Sequence, residues 1–414
     1  MRIERIGEGG TPAEVLRALG RLAAERHEAP PAALIGDWFG SRAILAPTVR
    51  ATPVQPTHAF DVTGRSPDSG GPVIGGGWIG YRSYPDRVAA APAPTLPESA
   101  GGWTDSVLRQ DTDGCWWYES LTEKRCPPHW SAAVARPRAD PRSWHIDWTP
   151  PDRAAHRRGV EQCLEAIREG EVYQACVCTH FRGRAQGDPL DFFADAVEAT
   201  GPARAAFVAG EWGAVASLSP ELYLARHGDR VTSSPIKGTL PIAGDPDLLR
   251  ASTKDVAENV MIVDLVRNDL GRLARPGSVT VTDLLGVYPA PGVWHLVSTV
   301  AATVPTGTTT ADLLDASFPP ASVTGCPKHR ARQLLSRWEE SSRGVYCGTV
   351  GFTTPQAGTE LNVAIRTVEF DPDGGARLGV GGGITIDSDP DAEWQECLDK
   401  ASSILSLGLP IAPP

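Results

Sequence analysis

This 414-residue chain has no long basic stripe, no extended apolar run, no CxxC pair and no apolar N-terminal segment. Each absence removes a class of function. With a formal net charge of −11, the chain cannot neutralise a polyanionic backbone through its overall field, so no nucleic-acid partner is expected. Its eight cysteines, at 115, 126, 163, 176, 178, 326, 347 and 397, have neither zinc-site spacing nor a histidine to complete one, and they read as free buried thiols. Met1-Arg2-Ile3-Glu4-Arg5 leads into polar residues, and no stretch is apolar enough to cross a bilayer. The expected setting is cytoplasmic and reduced, away from membranes. An anionic ligand must then be held by local Lys, Arg, backbone N–H groups or a metal, which favours a small substrate in a pocket.

The composition that remains, 41% hydrophobic and 21% charged, is that of a folded globular chain. It has room for roughly two to four domain-sized units or one composite. Eight of the twelve tryptophans precede residue 150, among short apolar runs broken by Gly and Pro, so this part reads as a β-rich lobe without a titratable cluster. The Pro-, Arg- and Asp-rich stretch from Ala135 to Asp152 reads as a boundary. The chain is accordingly expected to divide into a lobe at 1–150 and a catalytic lobe at 151–410, packed as one composite domain.

Beyond the boundary, Glu171 to Phe181 alternates, with Gln174, Cys176, Cys178 and His180 on one face, and predicts a strand. Ser252 to Leu270 predicts a helix capped by Ser252 and Asp255 and stopped by Gly271, with Glu258 in its first half. Asp389 and Pro390 start a last helix whose apolar stripe runs from Trp394 to Leu405. Glu393, Glu396 and Lys400 share a neighbouring face of that helix.

Three local features can carry chemistry, and each has two readings. Glu393 and Glu396, one turn apart, suit a hard cation such as Mg²⁺, or else form a solvated acidic face paired with Lys400. Gly381-Gly382-Gly383 either lets backbone N–H groups approach a carboxylate or makes a tight turn. Lys237, between Ile236 and Gly238, is either a nucleophile in an apolar setting or an exposed lysine.

The order of the motifs narrows these choices. Ser219-Pro220-Glu221, Pro235-Ile236-Lys237-Gly238-Thr239, the run from Ala257 to Asp269, His295-Leu296-Val297-Ser298, Thr324-Gly325-Cys326-Pro327-Lys328, Tyr346-Cys347-Gly348, Ile365-Arg366-Thr367, the glycine triplet and Glu393-Trp394-Gln395-Glu396 follow one another along the chain. The succession resembles the chorismate-utilising enzymes, densely from about Asp152 to Leu405 and loosely before that.

The resemblance implies an α+β fold in which two stacked antiparallel β-sheets, fringed by helices, enclose the site. It also implies Mg²⁺ as cofactor, with Glu258, Glu393 and Glu396 as its ligands and Glu221 close by. Tyr346 and Arg366 match the binders of the enolpyruvyl carboxylate. Lys400 and the backbone of Gly381, Gly382 and Gly383 match the binders of the other carboxylate. Thr324, Gly238 and Thr239 match pocket-lining positions, and His295 matches a general acid beside the departing hydroxyl.

Gln174 stands where water-using members carry a lysine base, so the resemblance points to ammonia as nucleophile. Lys237 stands where anthranilate synthases carry alanine. In the branch with this lysine, the proposed chemistry is attack of the amine at C2 as the C4 hydroxyl leaves, followed by ammonia at C4. Amination of chorismate to 4-amino-4-deoxychorismate is thus the expected activity. Because the sequence carries no Gly-x-Cys-x-Gly glutaminase segment, a separate glutamine amidotransferase subunit is the expected ammonia source. The rival readings are anthranilate synthase component I, an aminodeoxyisochorismate synthase, or an inactive regulator that binds aromatic metabolites. Cys326, Cys176 and Pro320-Ala321 depart from the usual pattern at pocket-lining and loop positions.

Overall fold

In the computed structural model, which describes residues 1–62, 73–86, 88, 91, 94–137 and 144–407, the alternating segments pair into two antiparallel sheets. The first has twelve strands. It runs from Arg2–Gly7 through Trp116–Ser120, Ser106–Gln110, Ser41–Ala46, Ala32–Trp38, Arg204–Gly210, Gly213–Ser219, Thr367–Phe370, Gly375–Ile384 and Gln174–Gln186 to Gly325–Cys326. The second has ten. It begins with Ile236–Pro241 and Val293–Thr303 and ends with Gly77–Arg82, Ser99–Thr104 and Thr52–Pro53. Ala32–Trp38 pairs with Arg204–Gly210, and Gly77–Arg82 with Thr349–Thr354, so both sheets draw strands from both sides of residue 150. The expected α+β sandwich is therefore the observed one.

Side chains of alternate parity fill the space on either face of the sheets. Trp38, Ile79, Tyr81, Val215, Val350 and Phe352 form one buried cluster with members from both sheets. Leu16, Leu19, Phe192, Phe193, Leu378 and Ile404 form another, with helices Pro12–Arg26, Pro189–Thr200 and Pro390–Leu405 packed on the first sheet. Strand Gln174–Gln186 shows the logic best. Its Ala175 and Val177 pack with Val160 and Leu334 from helices Arg153–Arg168 and Lys328–Trp338. The period of two then turns Gln174, Cys176 and Cys178 the other way, where Cys178 meets Tyr223 and Ile262 of the second cluster of strands and helices.

Helix Thr253–Gly271 forms where its cap predicts, with the Ser252 hydroxyl accepting from the Asp255 N–H at 3.2 Å. Its buried Ile262, Val263 and Val266 set it against the second sheet. Asp389 caps Pro390–Leu405 in the same way. The stretch Ala135–Asp152 contains strand His145–Thr149, which pairs with Gln174–Gln186; residues 138–143 of it lie outside the described residues. The N-terminal segment holds a buried ion pair, Arg109 donating to Glu119 at 2.6 Å, and Glu119 also accepts the Ile74 and Gly75 N–H groups. Among the described residues no helix is long and apolar enough to cross a membrane.

Candidate active site

The site forms where the ends of the two sheets approach. Strands Gly375–Ile384 and Gln174–Gln186 lie near one end of the first sheet, and Ile236–Pro241 is the end strand of the second. The glycine triplet is the hinge of the arrangement, and it is neither a turn nor a nest. Gly381, Gly382 and Gly383 continue an extended strand, in register with Cys178, Val177 and Cys176. On the other side, pairing with Thr367–Phe370 ends at Leu378, which leaves that edge of the triplet open.

What the glycines contribute is room. A β-carbon on Gly383 would lie 2.1 Å from Gln174 Nε2 and 3.2 Å from Lys237 Nζ. One on Gly382 would lie 2.8 Å from Glu393 Oε2 and 3.6 Å from Glu396 Oε1. Upstream, one on Gly379 would lie 2.1 Å from the Tyr346 ring. A strip of bare backbone thus brings together an amide, an ammonium and two carboxylates from three separate elements.

Lys237 faces Glu258, with Nζ 3.7 Å from Oε2, and neither side chain is more than 12% exposed. Glu393 is buried; its Oε1 accepts from Ser388 Oγ at 2.6 Å and lies 3.4 Å from Lys254 Nζ. Lys400 bridges Glu396 at 2.7 Å and the Gly381 carbonyl at 2.8 Å. Several buried polar atoms here have no hydrogen-bond partner: both amide atoms of Gln174, Glu258 Oε1, Glu393 Oε2 and His295 Nε2. Unpaired polar groups are costly in an interior, so their clustering marks the place where a polar ligand belongs.

Burial and charge set the protonation states. Burial raises the Glu221 carboxyl to about 7, against the Ser322 hydroxyl and Lys237, which favour its charged form. Burial also raises Glu258, opposed by Lys237 and Lys254. Burial resists charge on Glu396, but Lys400 outweighs it and holds that carboxyl below its usual range. Burial, helped by the Arg366 guanidinium, brings His295 down to about 4. The imidazole is therefore neutral near pH 7, with Nδ1 3.0 Å from the Thr239 hydroxyl. With Nδ1 facing Thr239, Nε2 is the ring atom without a protein partner.

The other expected residues divide. Gly238 takes a positive φ of 80° and sits against Asp255, which lets the next residue, Thr239, pair with His295. Tyr346 is buried edge-on to His180, and Arg366 lies close enough to His295 to repel its proton. Arg366 also has a positive φ of 50°, an unusual backbone state for a non-glycine residue. Thr324 is fully buried and donates its hydroxyl to the Pro320 carbonyl at 2.8 Å, a bond internal to its own turn. Among the described residues, no three His, Cys, Asp or Glu side chains close into a metal-binding group.

Some motif residues build the walls. Ser298 donates to Asn259 at 2.6 Å and ties the Glu258 helix to the His295 strand. Lys328 donates to Asp269, Ser317 O and Pro319 O. Sequence reasoning missed Lys254, whose place one turn before Glu258 was the available signal. It also missed Arg343, which is buried against Glu339 and the carbonyls of Val323 and Cys176.

The chorismate binding enzyme family matches residues 43–406. The chain belongs to that family. It is 36% identical over 295 residues to aminodeoxychorismate synthase component 1 of Salmonella typhimurium, covering 70% of this chain and 63% of that protein. It is 42% identical over 261 residues to the protein of the same name from Klebsiella aerogenes, covering 61% of this chain and 57% of that one. The matches thus span about three fifths of each relative's length. Anthranilate synthase component I from Streptococcus pneumoniae shares the fold, with a TM-score of 0.69 at 22% identity over 98% of this chain and 92% of that one.

Proposed function

We propose that this member of the chorismate-binding family aminates chorismate at C4, giving 4-amino-4-deoxychorismate and water, with ammonia delivered by a separate glutaminase subunit. The observation that carries the reading is the meeting of Lys237 and the unpartnered Gln174 amide at Gly383. An amide there cannot deprotonate water, while its carbonyl can accept a hydrogen bond from ammonia. The relatives' names support the reaction, and the words "component 1" in those names support a second component for those proteins.

Glu258, Glu393 and Glu396 have the donor chemistry for Mg²⁺, though the three do not close on a single point in this structure. Glu258 Oε1 and Glu393 Oε2 are buried oxygens without partners, which a hard cation would satisfy, and Glu396 adds a third carboxylate on the same side of Gly382. When bound, the ion supplies positive charge that holds a substrate carboxylate beside three glutamates. The open edge of the glycine triplet and Lys400 suit one carboxylate, and Arg366 with Tyr346 the other.

The remaining work falls to the chain's own side chains. Glu258, 3.7 Å from Lys237, is placed to take the ammonium proton. The freed amine forms a bond to C2 as the two ring double bonds shift in relay and the C4 hydroxyl leaves. Glu221, which keeps its proton to about pH 7, supplies the proton that turns the hydroxyl into water. His295 donates a hydrogen bond through Nε2. Ammonia then adds at C4 and the C2–N bond breaks, which returns the lysine.

Pure protein incubated with chorismate, Mg²⁺ and ammonium, followed by an aminodeoxychorismate lyase, should yield p-aminobenzoate. Anthranilate as sole product would overturn the regiochemistry while leaving the family assignment intact.

A further inference from the structure

Lys254 has no part in the chemistry above, yet it reaches into the acidic cluster. It lies one turn before Glu258 on helix Thr253–Gly271, with Nζ 3.4 Å from Glu393 Oε1. Its side chain is 47% exposed, against 12% for Lys237 and 3% for Glu393. Lys254 borders water, whereas Lys237 is mostly enclosed. On the other sides of the cluster Lys237 faces Glu258 and Lys400 faces Glu396. Three carboxylates therefore meet three ammoniums. Asp255 beside Gly238 and Arg366 beside His295 add one charge of each sign. Without any ligand the cluster is close to neutral.

A neutral, half-buried cluster responds poorly to either ligand alone. A lone Mg²⁺ brings two excess positive charges and must compete with Lys254 for Glu393. A lone chorismate dianion brings two negative charges to a site whose lysines are already paired. Together the two ligands cancel, so both can enter without a net change in the charge of the cluster. Resting on the function proposed above, we infer that Lys254 is the exchangeable counter-cation of this cluster, and that its presence makes the binding of divalent metal and dianionic substrate depend on one another. By linkage the dependence is reciprocal: metal strengthens chorismate binding by the same factor by which chorismate strengthens metal binding.

Charge is the operative property, so the replacement must remove it while keeping the aliphatic stem. Calorimetric titration of the full chain with Mg²⁺, with and without a chorismate analogue that lacks the C4 hydroxyl and so gives Lys237 nothing to displace, reads both affinities without chemistry. In Lys254→Met, Mg²⁺ alone should bind about tenfold tighter than in the wild type, because one competing charge is gone. The strengthening by the analogue should shrink by a similar factor, and the metal-free protein should melt at a lower temperature, since Glu393 has lost a counter-ion. Lys254→Arg should behave as wild type in all three measurements. Unchanged Mg²⁺ affinity in a folded Lys254→Met protein would overturn the counter-cation role and leave the proposed function standing. Absence of Mg²⁺ binding by the wild type, even with the analogue present, would overturn both.

Discussion

Two buried ionic groups flank strand Gln174–Gln186, and they are built on opposite terms. On one side, Arg343 is 1% exposed and uses all three guanidinium nitrogens: Nε and Nη2 on Glu339, Nη1 on Val323 O, and Nη2 again on Cys176 O. Glu339 in turn accepts the Cys178 N–H, and the guanidinium lies 4.4 Å over the Tyr84 ring. On the other side, Gln174, Glu258, Glu393 and His295 each leave at least one buried atom without a partner. The first network ties the guanidinium to the backbone on two sides, whereas the second leaves polar atoms that the protein itself does not satisfy. The first group gives the second its geometry, because Arg343 clamps the carbonyl of Cys176, two residues from Gln174.

Mutations on the two sides should separate stability from activity. Lys237→Ala should reduce C4 amination by on the order of 10³-fold or more, since it removes the nucleophile, with a fall in melting temperature smaller than that of Arg343→Met because Glu258 keeps Lys254 nearby. Product analysis with a coupled lyase checks the first and calorimetry the second. Undiminished amination in that variant would remove the covalent role. Arg343→Met should do the reverse in kind. It leaves Glu339 as an unpaired buried carboxylate and should cost about 3–5 kcal/mol of stability, measured by denaturant unfolding. Loss of activity in proportion to stability would merge the two groups, and retained stability would show that the clamp is dispensable.

Gly383→Ala tests the boundary between the groups. The strand geometry tolerates alanine, but its methyl would meet Gln174 Nε2 and Lys237 Nζ. Displacement of the reacting groups by about 1 Å costs on the order of 10²-fold in rate, while the overpacking penalty is about 1–3 kcal/mol. Steady-state kinetics should show a fall in kcat larger than any rise in KM. Gly382→Ala should act instead on Glu393 and Glu396, and weaken Mg²⁺ binding more than it slows chemistry at saturating metal.

The contrast between the two groups also explains what the sequence could reveal. Helix ends were legible because their signals are local: Ser252 with Asp255 and Asp389 before Pro390 each act within one turn. Lys237, Gln174, Glu258, Glu396 and Arg366 were legible only as an ordered set of motifs, since nothing in the neighbourhood of any one shows that they meet. The triplet at 381–383 was read as a turn or an anion cradle because glycine suggests free backbone; the straight strand removes the turn, and the room the glycines leave depends on Gln174 and Glu393 arriving from elsewhere. Arg343 and Glu339 stand four residues apart and look like a surface pair. Only the packing of three elements makes them buried. Lys254 was passed over for the same reason. Its place one turn before Glu258 was visible, but nothing in the sequence says that it will meet Glu393 from another helix.

The smallest effect concerns pH. Folding raises Glu221 from the ordinary carboxylate range to about 7, so between roughly pH 4.5 and 7 the folded state holds a proton that the unfolded chain has released. Stability rises with pH only where the unfolded state binds more protons; here it binds fewer, so this group's contribution falls as pH rises through that window and is flat outside it. The ceiling is about 3 kcal/mol at about 1.4 kcal/mol per pKa unit. Glu221→Gln should abolish this slope, and subtracting its stability curve from that of the wild type isolates the term from His295 and Glu258, which titrate in both proteins. The difference should be near zero at pH 4 and should grow to favour the variant by pH 8. Activity should move the opposite way, because glutamine cannot give a proton to the departing hydroxyl. A variant no more stable than wild type at pH 8 would mean that Lys237 and Ser322 already hold Glu221 ionised, and the proton for that hydroxyl would then have to come from elsewhere in the site.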